Sequence, residues 1–171
     1  MTANPALQAD PALVDDFRQA MRGVASAVYL ITSTGPDGDA GMTATAACSL
    51  SFDPMSVLIS VNRSASLMRT LEASGRFVLN ILSLEDEAVA RAFGSPAGRD
   101  ERFASGDWYR LDGLPALKTS LSSISCDVAQ AMDFGTHRVL AGAVRHIDNR
   151  FGRRELLYCQ GEFRSLETHE D

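Results

Sequence analysis

The sequence is poor in cysteine and in basic residues, and it lacks a long apolar run. Its three cysteines, Cys48, Cys126 and Cys159, are far apart and form no CxxC pair, so we expect no disulfide framework and a reducing, cytoplasmic location. Lysine and arginine number 16 against 22 aspartate and glutamate, a net charge of −6, which argues against nucleic acid and anionic membrane surfaces as partners. No apolar stretch has the length of a bilayer span.

Two familiar site patterns are also missing. No Gly-x-Gly-x-x-Gly follows the first predicted strand, so a Rossmann dinucleotide site is not expected. The histidines lack metal-ligand spacing and accompanying carboxylates, so we expect no metal site. The first residues lack the basic and apolar segments of a secretory signal. We expect residues 1–9 to form a flexible tail and 10–171 a single domain, because 171 residues suit one hydrophobic core.

The apolar pattern predicts a mainly β fold with three inserted helices. The helices are predicted over 11–22, 66–73 and 84–93, with Asp10 and Ser83 as N-caps. The strands are predicted over 24–34, 42–52, 56–61, 76–82, 124–134, 137–147, 154–159 and 161–166, and a long polar loop over 94–107. Because most strands are joined as hairpins, an antiparallel barrel with helical insertions is favoured over a doubly wound parallel sheet.

Residues 42–52 alternate between two unlike faces, which is typical of a β-strand. The parity of Met42, Ala44, Ala46, Cys48, Leu50 and Phe52 is apolar. We expect it to face the core, with Cys48 as an inert buried thiol. The other parity carries Thr43, Thr45, Ala47, Ser49 and Ser51. Small hydroxyl side chains let a flat ligand approach and can bond to a polar ring edge; a half-buried strand facing water or neighbouring strands is the alternative.

A polar turn follows the next strand and leads into a helix. Asn62, Arg63, Ser64 and Ser66 are candidates for phosphate binding, because a helix start offers free amides and a guanidinium pairs with anions. Ordinary N-capping by Ser64 or Ser66 is the alternative, and it is compatible with phosphate binding. A ring-binding strand followed by a phosphate turn indicates a nucleotide-like cofactor, and a flavin is the best candidate.

The predicted 94–107 loop carries two arginines with neighbouring acidic residues. Arg99 and Arg102 could hold the pyrophosphate or adenylate half of a dinucleotide, and a solvated charge cluster is an equal alternative. The choice between FAD and FMN therefore stays open. No further basic patch can be placed for a 2′-phosphate, so NADH is preferred to NADPH.

Several segments, taken in order, resemble the short-chain flavin reductase family, whose members have the FMN-binding split-barrel fold. They are FRQAMRGVASAVYLITS, GMTATAACSLSFDP, VLISVNRSAS, GRFVLNIL, FGTHRVLAGAV, LLYCQGEF and the pair Arg102-Phe103, and they span roughly Phe17 to Leu166. The resemblance implies hydride transfer from NAD(P)H to FAD or FMN, delivery of reduced flavin to a partner monooxygenase, and a homodimer with flavin sites near its interface. Two positions depart from the family pattern, Met55 in place of a second proline and Thr136 in place of an aspartate.

The resemblance also implies roles for individual residues. For the flavin it supports Thr43, Ala44, Thr45, Ser49 and Leu50, and it adds Phe93 and Gly94. For the nicotinamide it implies His137 as a positioning residue of the reaction, with Tyr158, Gly161 and Phe163 bordering the same ring. Structural roles remain open for these residues: a strand-end histidine with a backbone partner, and strand or core aromatics.

Two other functions fit the same barrel. One is a flavin-retaining oxidase of the pyridoxamine-phosphate oxidase type, which would need several basic residues on the phosphate; only Arg63 and Arg69 lie near the turn in sequence. The other is a non-enzymatic flavin- or haem-binding split-barrel protein, with His137 as the axial ligand of a haem.

Overall fold

The structure is a computed structural model that describes residues 10–95 and 99–166, without the side chains at 99 and 100. The tail predicted over 1–9 lies outside the described residues. Four α-helices and twelve strands form in the described part. They are α1 (Pro11–Arg22), β1 (Ser26–Ala27), β2 (Tyr29–Gly35), β3 (Gly38–Ala44), β4 (Ala47–Phe52), β5 (Met55–Asn62), α2 (Ser66–Ser74), β6 (Arg76–Ile81), a 3₁₀ turn (Leu84–Asp86), α3 (Glu87–Gly94), α4 (Arg99–Ala104), β7 (Trp108–Leu111), β8 (Leu114–Leu117), β9 (Ser122–Phe134), β10 (His137–Asn149), β11 (Leu157–Cys159) and β12 (Glu162–Arg164). Among these helices, none combines the length and apolar character needed to cross a bilayer.

The main sheet is a nearly closed barrel. Its seven strands follow the order β3-β2-β6-β9-β10-β5-β4, and all neighbours are antiparallel. The two edge strands, β3 and β4, are joined by Thr45 and Ala46 alone, so Ala44 and Ala47 lie within roughly 11 Å of each other. The sheet must therefore roll until its edges converge at this link, and the predicted antiparallel split barrel is confirmed.

The barrel interior is filled by side chains from strands and from α2. Ile31, Ile59, Val61 and Phe77 are fully buried there, and Leu67 of α2 joins them. A second cluster forms where α3 packs near β8 and the chain before β11, around Leu82, Phe93, Leu117 and Leu156. Two apolar clusters thus hold α2 and α3 against the barrel.

Local signals predicted the helix ends well. The Asp10 side chain accepts from Ala12 N at 3.0 Å and Pro11 opens α1, as expected. Helix α2 stops at Gly75, whose φ of 64° is left-handed and favours glycine. Ser83 and Asp86 form a reciprocal capping box before α3.

The strand predicted over 42–52 is wrong as a single element. The chain leaves β2 at Ala44 and joins β5 from Ala47, so the segment supplies both edges of the barrel. Period-two alternation reports which side chains share a face, but it carries no information about which strand is the neighbour. In β4 the apolar parity is not buried: Phe52 is 87% exposed, and Cys48 and Leu50 are exposed too. The buried thiol is Cys126, and burial raises its pKa to about 12.

Two further expectations are corrected. The first predicted strand is broken at Val28 into β1 and β2, which belong to different sheets. The loop predicted over 94–107 contains helix α4. Phe103 of α4 packs with Phe93 and Trp108 at ring-centroid distances of 5.0 and 4.9 Å. A single aromatic anchor therefore attaches an otherwise polar segment to the second cluster.

Candidate functional site

One cleft of about 490 Å³ has three walls from distant parts of the chain, and Val28, between β1 and β2, also lines it. The end of β3 and the following link form one wall, α3 forms the second, and the β11–β12 hairpin forms the third. The lining residues are Val28, Thr43, Ala44, Thr45, Ala90, Arg91, Gly94, Tyr158, Gly161 and Phe163. Seven of the predicted site residues thus meet here: Thr43, Ala44, Thr45, Gly94, Tyr158, Gly161 and Phe163.

Small residues line the cleft on the β3 and α3 walls, and aromatic side chains line it on the wall formed by the β11–β12 hairpin. The Thr43 hydroxyl donates to the Ala90 carbonyl at 2.7 Å, which fixes β3 against α3. Thr45 and Ala46 belong to no strand, so their N–H groups lie outside both ladders and can donate to a ligand. Opposite them, Tyr158 and Phe163 are cross-strand partners with ring centroids 5.3 Å apart. A planar ring therefore finds donors on one side and an apolar surface on the other.

Phe93 and Arg102 support the cleft from behind. Phe93 is buried against β3, where a Cβ on Gly41 would come within 2.8 Å of its ring. Arg102 donates to the Gly41 carbonyl at 3.4 Å and to the Ser95 carbonyl at 2.5 Å, and its buried Nε has no partner among the described residues. Neither residue lines the cleft. Arg99 begins α4, and its side chain lies outside the described part.

The Asn62–Ser66 turn is built around one side-chain acceptor. The Asn62 Oδ1 accepts from the backbone N–H of Ser64 at 2.9 Å and from the Ser64 hydroxyl at 2.8 Å. The N-cap of α2 is Ala65, with no side-chain cap bond, so Ser64 and Ser66 do not cap the helix. Ser66 instead faces a second cavity of about 570 Å³.

That second cavity carries charges of both signs. It is lined by Asp37, Arg63, Ala65, Ser66, Met68, Arg69, Thr70, Glu72 and Arg138. Arg69 pairs with Asp37 at 2.6 Å, and Arg138 pairs with Glu72 and Asp133. The Arg138 hydrogen bond lowers the pKa of Asp133 below its ordinary value. Arg63 has a weaker tie, a 3.4 Å bond to the Gly135 carbonyl, which leaves it the best placed cation for an incoming phosphate.

His137 lies beside this turn rather than in the cleft. It is the direct partner of Asn62 across β5 and β10, it is exposed, and its Nδ1 is 2.9 Å from the Thr136 hydroxyl. Ser49 and Leu50 lie on β4, where Leu50 is the extra residue of a bulge. Within one chain, His137, Ser49 and Leu50 therefore do not line the cleft that Tyr158 lines.

The cleft and the turn nevertheless occupy the same end of the barrel. The Ala46 carbonyl accepts from Ser60 N at 2.9 Å. Asn62 follows Ser60 by two residues, roughly 7 Å along the strand. The Thr45–Ala46 link at the rim of the cleft and the Asn62–Ser66 turn therefore lie close to each other, beside the same end of β5.

Sequence reasoning missed Val28, Ala90 and Arg91. The Arg91 guanidinium is held by Glu87 Oε1 at 2.9 and 2.7 Å and lies 4.7 Å from the Phe163 ring centroid. The i,i+4 spacing of Ala90 and Gly94 was the available signal, since it places two small residues on one helix face. Nothing in the sequence indicates that this face would meet β3.

The chain also matches known proteins. The profile of the family described as flavin reductase like domain covers residues 21–167. The chain is 40% identical to the FMN reductase (NADH) RutF of Methylorubrum populi, over 97% of this chain and 83% of that one. It superposes on nitrilotriacetate monooxygenase component B from Mycobacterium thermoresistibile with a TM-score of 0.86 (31% identity; 93% and 89% of the two chains). For the NADH:FAD oxidoreductase SgcE6 of Streptomyces globisporus C-1027, solved with NAD and FAD fragments, the TM-score is 0.87 (26% identity; 95% and 98%). The resemblance predicted from the motifs is confirmed, and the chain belongs to the flavin reductase-like domain family.

Proposed function

We propose that the protein is an NADH:flavin oxidoreductase that binds flavin and NADH together and transfers a hydride from nicotinamide to flavin. The observation that carries the proposal is the cleft in which Thr43–Thr45 meet Tyr158, Gly161 and Phe163. Its volume of about 490 Å³ falls within the range of small-molecule sites. The family and the curated relative named FMN reductase (NADH) support the same function.

The protein's own contribution is orientation and electrostatics. When bound, the flavin ring supplies the hydride acceptor, and the nicotinamide supplies the donor. Ala44, Ala90 and Gly94 leave room for a planar ring against the backbone. The N–H groups of Thr45 and Ala46 donate toward that ring and stabilise negative charge that develops on it. Tyr158 and Phe163 exclude water from the open side and hold the two rings face to face.

We assign the flavin phosphate to the Asn62–Ser66 turn, with Arg63 and the Ser66 hydroxyl as its main contacts. This turn and the link at the cleft lie at the same end of β5. FMN is favoured over FAD, because Arg102 already donates to two main-chain carbonyls and offers little to a second phosphate. NADH is favoured over NADPH by the name of the curated relative.

Steady-state NADH and NADPH oxidation with added FMN and FAD tests the proposal. We expect turnover to be fastest with NADH and FMN. Gly94→Val narrows the cleft between α3 and β3 and should raise the KM for flavin at least tenfold. Ala88→Val, on the exposed face of the same helix, is the matched control and should match the wild type. No flavin-dependent turnover with either nicotinamide would refute the proposal, and tightly bound FMN without NADH activity would point to an oxidase.

We also propose that the protein is a homodimer. On the outer face of β9, β10 and β5, Met132 lies opposite Val139, and Leu58 lies opposite Ala141. Met132 and Phe134 are largely exposed on this face. Contiguous exposed apolar surface of this kind marks an interaction site, and a sheet face paired with its own copy satisfies it on both subunits.

Light scattering after size exclusion tests the dimer. The wild type should elute with twice the mass of the 18.4 kDa chain. Met132→Glu should dissociate it, whereas Ala88→Glu, at an exposed position on α3 and away from these strands, adds the same charge and should not. A monomeric wild type would contradict the assignment.

Two wider assignments follow from the same proposal. The reduced flavin would be consumed by a separate monooxygenase, as the name of the relative from Mycobacterium thermoresistibile suggests. Coupled turnover with such an oxygenase tests this step. A reducing, cytoplasmic location agrees with three free thiols.

A further inference from the structure

Among the described residues that line the cleft, Arg91 is the only charged one. Its guanidinium lies over the Phe163 ring, with Cζ 4.7 Å from the ring centroid. Phe163 in turn contacts Tyr158, at a distance of 5.3 Å between the two ring centroids. Arg91 therefore places a cation beside the aromatic wall of the space proposed for the flavin ring.

The charge of Arg91 is neutralised by a carboxylate that lies outside the cleft. Glu87, one turn earlier in α3, accepts from Nε of Arg91 at 2.9 Å and from Nη2 at 2.7 Å through one oxygen, Oε1. Glu87 itself does not line the cleft. An ion pair at i,i+4 spacing whose side chains are 62% and 40% exposed contributes little to the stability of a helix. Its effect is therefore expected in the cleft rather than in the stability of the fold.

Hydride transfer changes the charge of the flavin ring. The oxidised ring is neutral, and a hydride from NADH brings it one proton and two electrons. The products are NAD⁺ and an anionic reduced ring, and no further reactant is needed. A cation beside the ring favours the reduced form over the oxidised form, and a carboxylate next to that cation offsets the preference. A reductase that passes reduced flavin to another protein must also release it, so an unpaired arginine in this wall would retain the product.

We infer that the Glu87–Arg91 pair sets how strongly the cleft prefers reduced flavin to oxidised flavin, and that Glu87 acts through Arg91 to let reduced flavin leave. This inference rests on the proposed function and assigns residues to its last step, the release of the product. Arg91 supplies positive charge on the side of the cleft opposite the N–H groups of Thr45 and Ala46. Glu87 is a positioning residue, because it holds the guanidinium over Phe163 and offsets its charge.

Equilibrium binding of FMN in its two redox states tests the inference without turnover. Fluorescence quenching measures the Kd of oxidised FMN, and anaerobic calorimetry measures the Kd of dithionite-reduced FMN at a mildly alkaline pH, where the reduced ring is anionic. Both forms carry the same phosphate, so the ratio of the two Kd values reports on the ring alone. We expect Glu87→Gln to shift this ratio about fivefold toward reduced FMN, and Arg91→Gln to shift it about fivefold toward oxidised FMN, which is the size expected of one unit charge acting across a partly solvated cleft.

Glu85→Gln and Arg164→Gln are the matched controls. Glu85 is paired with Arg153. Arg164, next to Phe163 in sequence, is paired with Glu162 at 2.7 Å. Neither Glu85 nor Arg164 lines the cleft, so both controls should keep the ratio of the wild type. At about 1 M salt, where the Debye length is about 3 Å, the shifts of Glu87→Gln and Arg91→Gln should shrink, which a change in packing alone would not do.

The double variant Glu87→Gln/Arg91→Gln completes the experiment. Because it loses both charges, its ratio should return to within about twofold of the wild type. If the expected shifts appear but the wild type never oxidises NADH, the proposed function fails and the role of the pair stands. If NADH is oxidised but the ratio is the same in every variant, or Glu87→Gln and Arg91→Gln shift it in the same direction, the role of the pair is overturned.

Discussion

Among the described glycines, Gly142 leaves the least room for an added methyl group. It lies on β10, and a Cβ built there would be 2.4 Å from Cζ of Phe77 and 2.9 Å from Cβ of Cys126. The Phe77 ring is fully buried and has no solvent side to turn toward. Overpacking of this kind typically costs about 1–3 kcal/mol. Since the Cys126 atom is next to the backbone and cannot rotate away, we expect Gly142→Ala to lie near the upper end, at about 2–3 kcal/mol.

Urea unfolding followed by far-UV circular dichroism measures this loss. The midpoint should fall while the m-value stays unchanged, and at about 2–4 °C per kcal/mol for a chain of this size the melting temperature should drop by roughly 4–12 °C. All variants are compared at one protomer concentration, because association stabilises the folded state.

The control and the rescue make the experiment specific. Gly94→Ala adds the same methyl group where, among the described atoms outside its own helix and its chain neighbours, only Cβ of Thr43 lies within 4 Å, at 3.9 Å, and it should be nearly neutral. Phe77→Leu should cost less in the Gly142→Ala background than in the wild type, with a coupling of at least about 0.5 kcal/mol. A Gly142→Ala protein within about 0.5 kcal/mol of the wild type would refute the packing argument.

Two further predictions concern buried groups and the outer sheet face. With a thiol pKa of about 12, Cys126 should resist alkylation at pH 9 and react only in denaturant. Cys48 should be alkylated in the folded state, and faster in Met132→Glu if the outer face of β9, β10 and β5 is the dimer interface. Mass spectrometry of the alkylated peptides measures both rates. Native alkylation of Cys126 would contradict its burial. Asn80 Oδ1 accepts from Leu117 N at 3.0 Å and from the Ser123 hydroxyl at 2.9 Å, and Asn80→Leu removes this acceptor. At about 1–3 kcal/mol per unpaired group, the free energy of unfolding measured in urea should fall by about 2–5 kcal/mol. A loss under about 1 kcal/mol would show that these groups find other partners.

The first and last residues of most helices and strands could be predicted, because the sequence signals that begin and end them are local. Asp10 before Pro11, and Gly75 after α2, act within one turn of the backbone they terminate. The same holds for the hairpin at Gly135, where the strands on both sides are long enough to alternate visibly. Local sterics and capping do not depend on the rest of the fold.

The candidate site could be predicted only in part, because its walls come from distant segments. The motif resemblance already pointed to Thr43–Thr45, Gly94 and Tyr158, and the structure places them in one cleft. Arg91 was not predicted, because a cation on an amphipathic helix looks like any solvated charge until the aromatic ring beneath it is known. Likewise, the sequence predicted a loop in place of α4, because its one aromatic side chain, Phe103, packs with Phe93 and Trp108, which both lie outside the helix.

The sequence by itself determined the ends of α1 and α2, the β9–β10 hairpin and the family, since these rest on residue order and local chemistry. Only the tertiary structure decided that residues 42–52 divide between two edges of one barrel. A two-residue link without a proline or glycine carries no local signal of such a break. The break occurs because a seven-stranded sheet closes on itself there, and closure depends on the twist of all seven strands together.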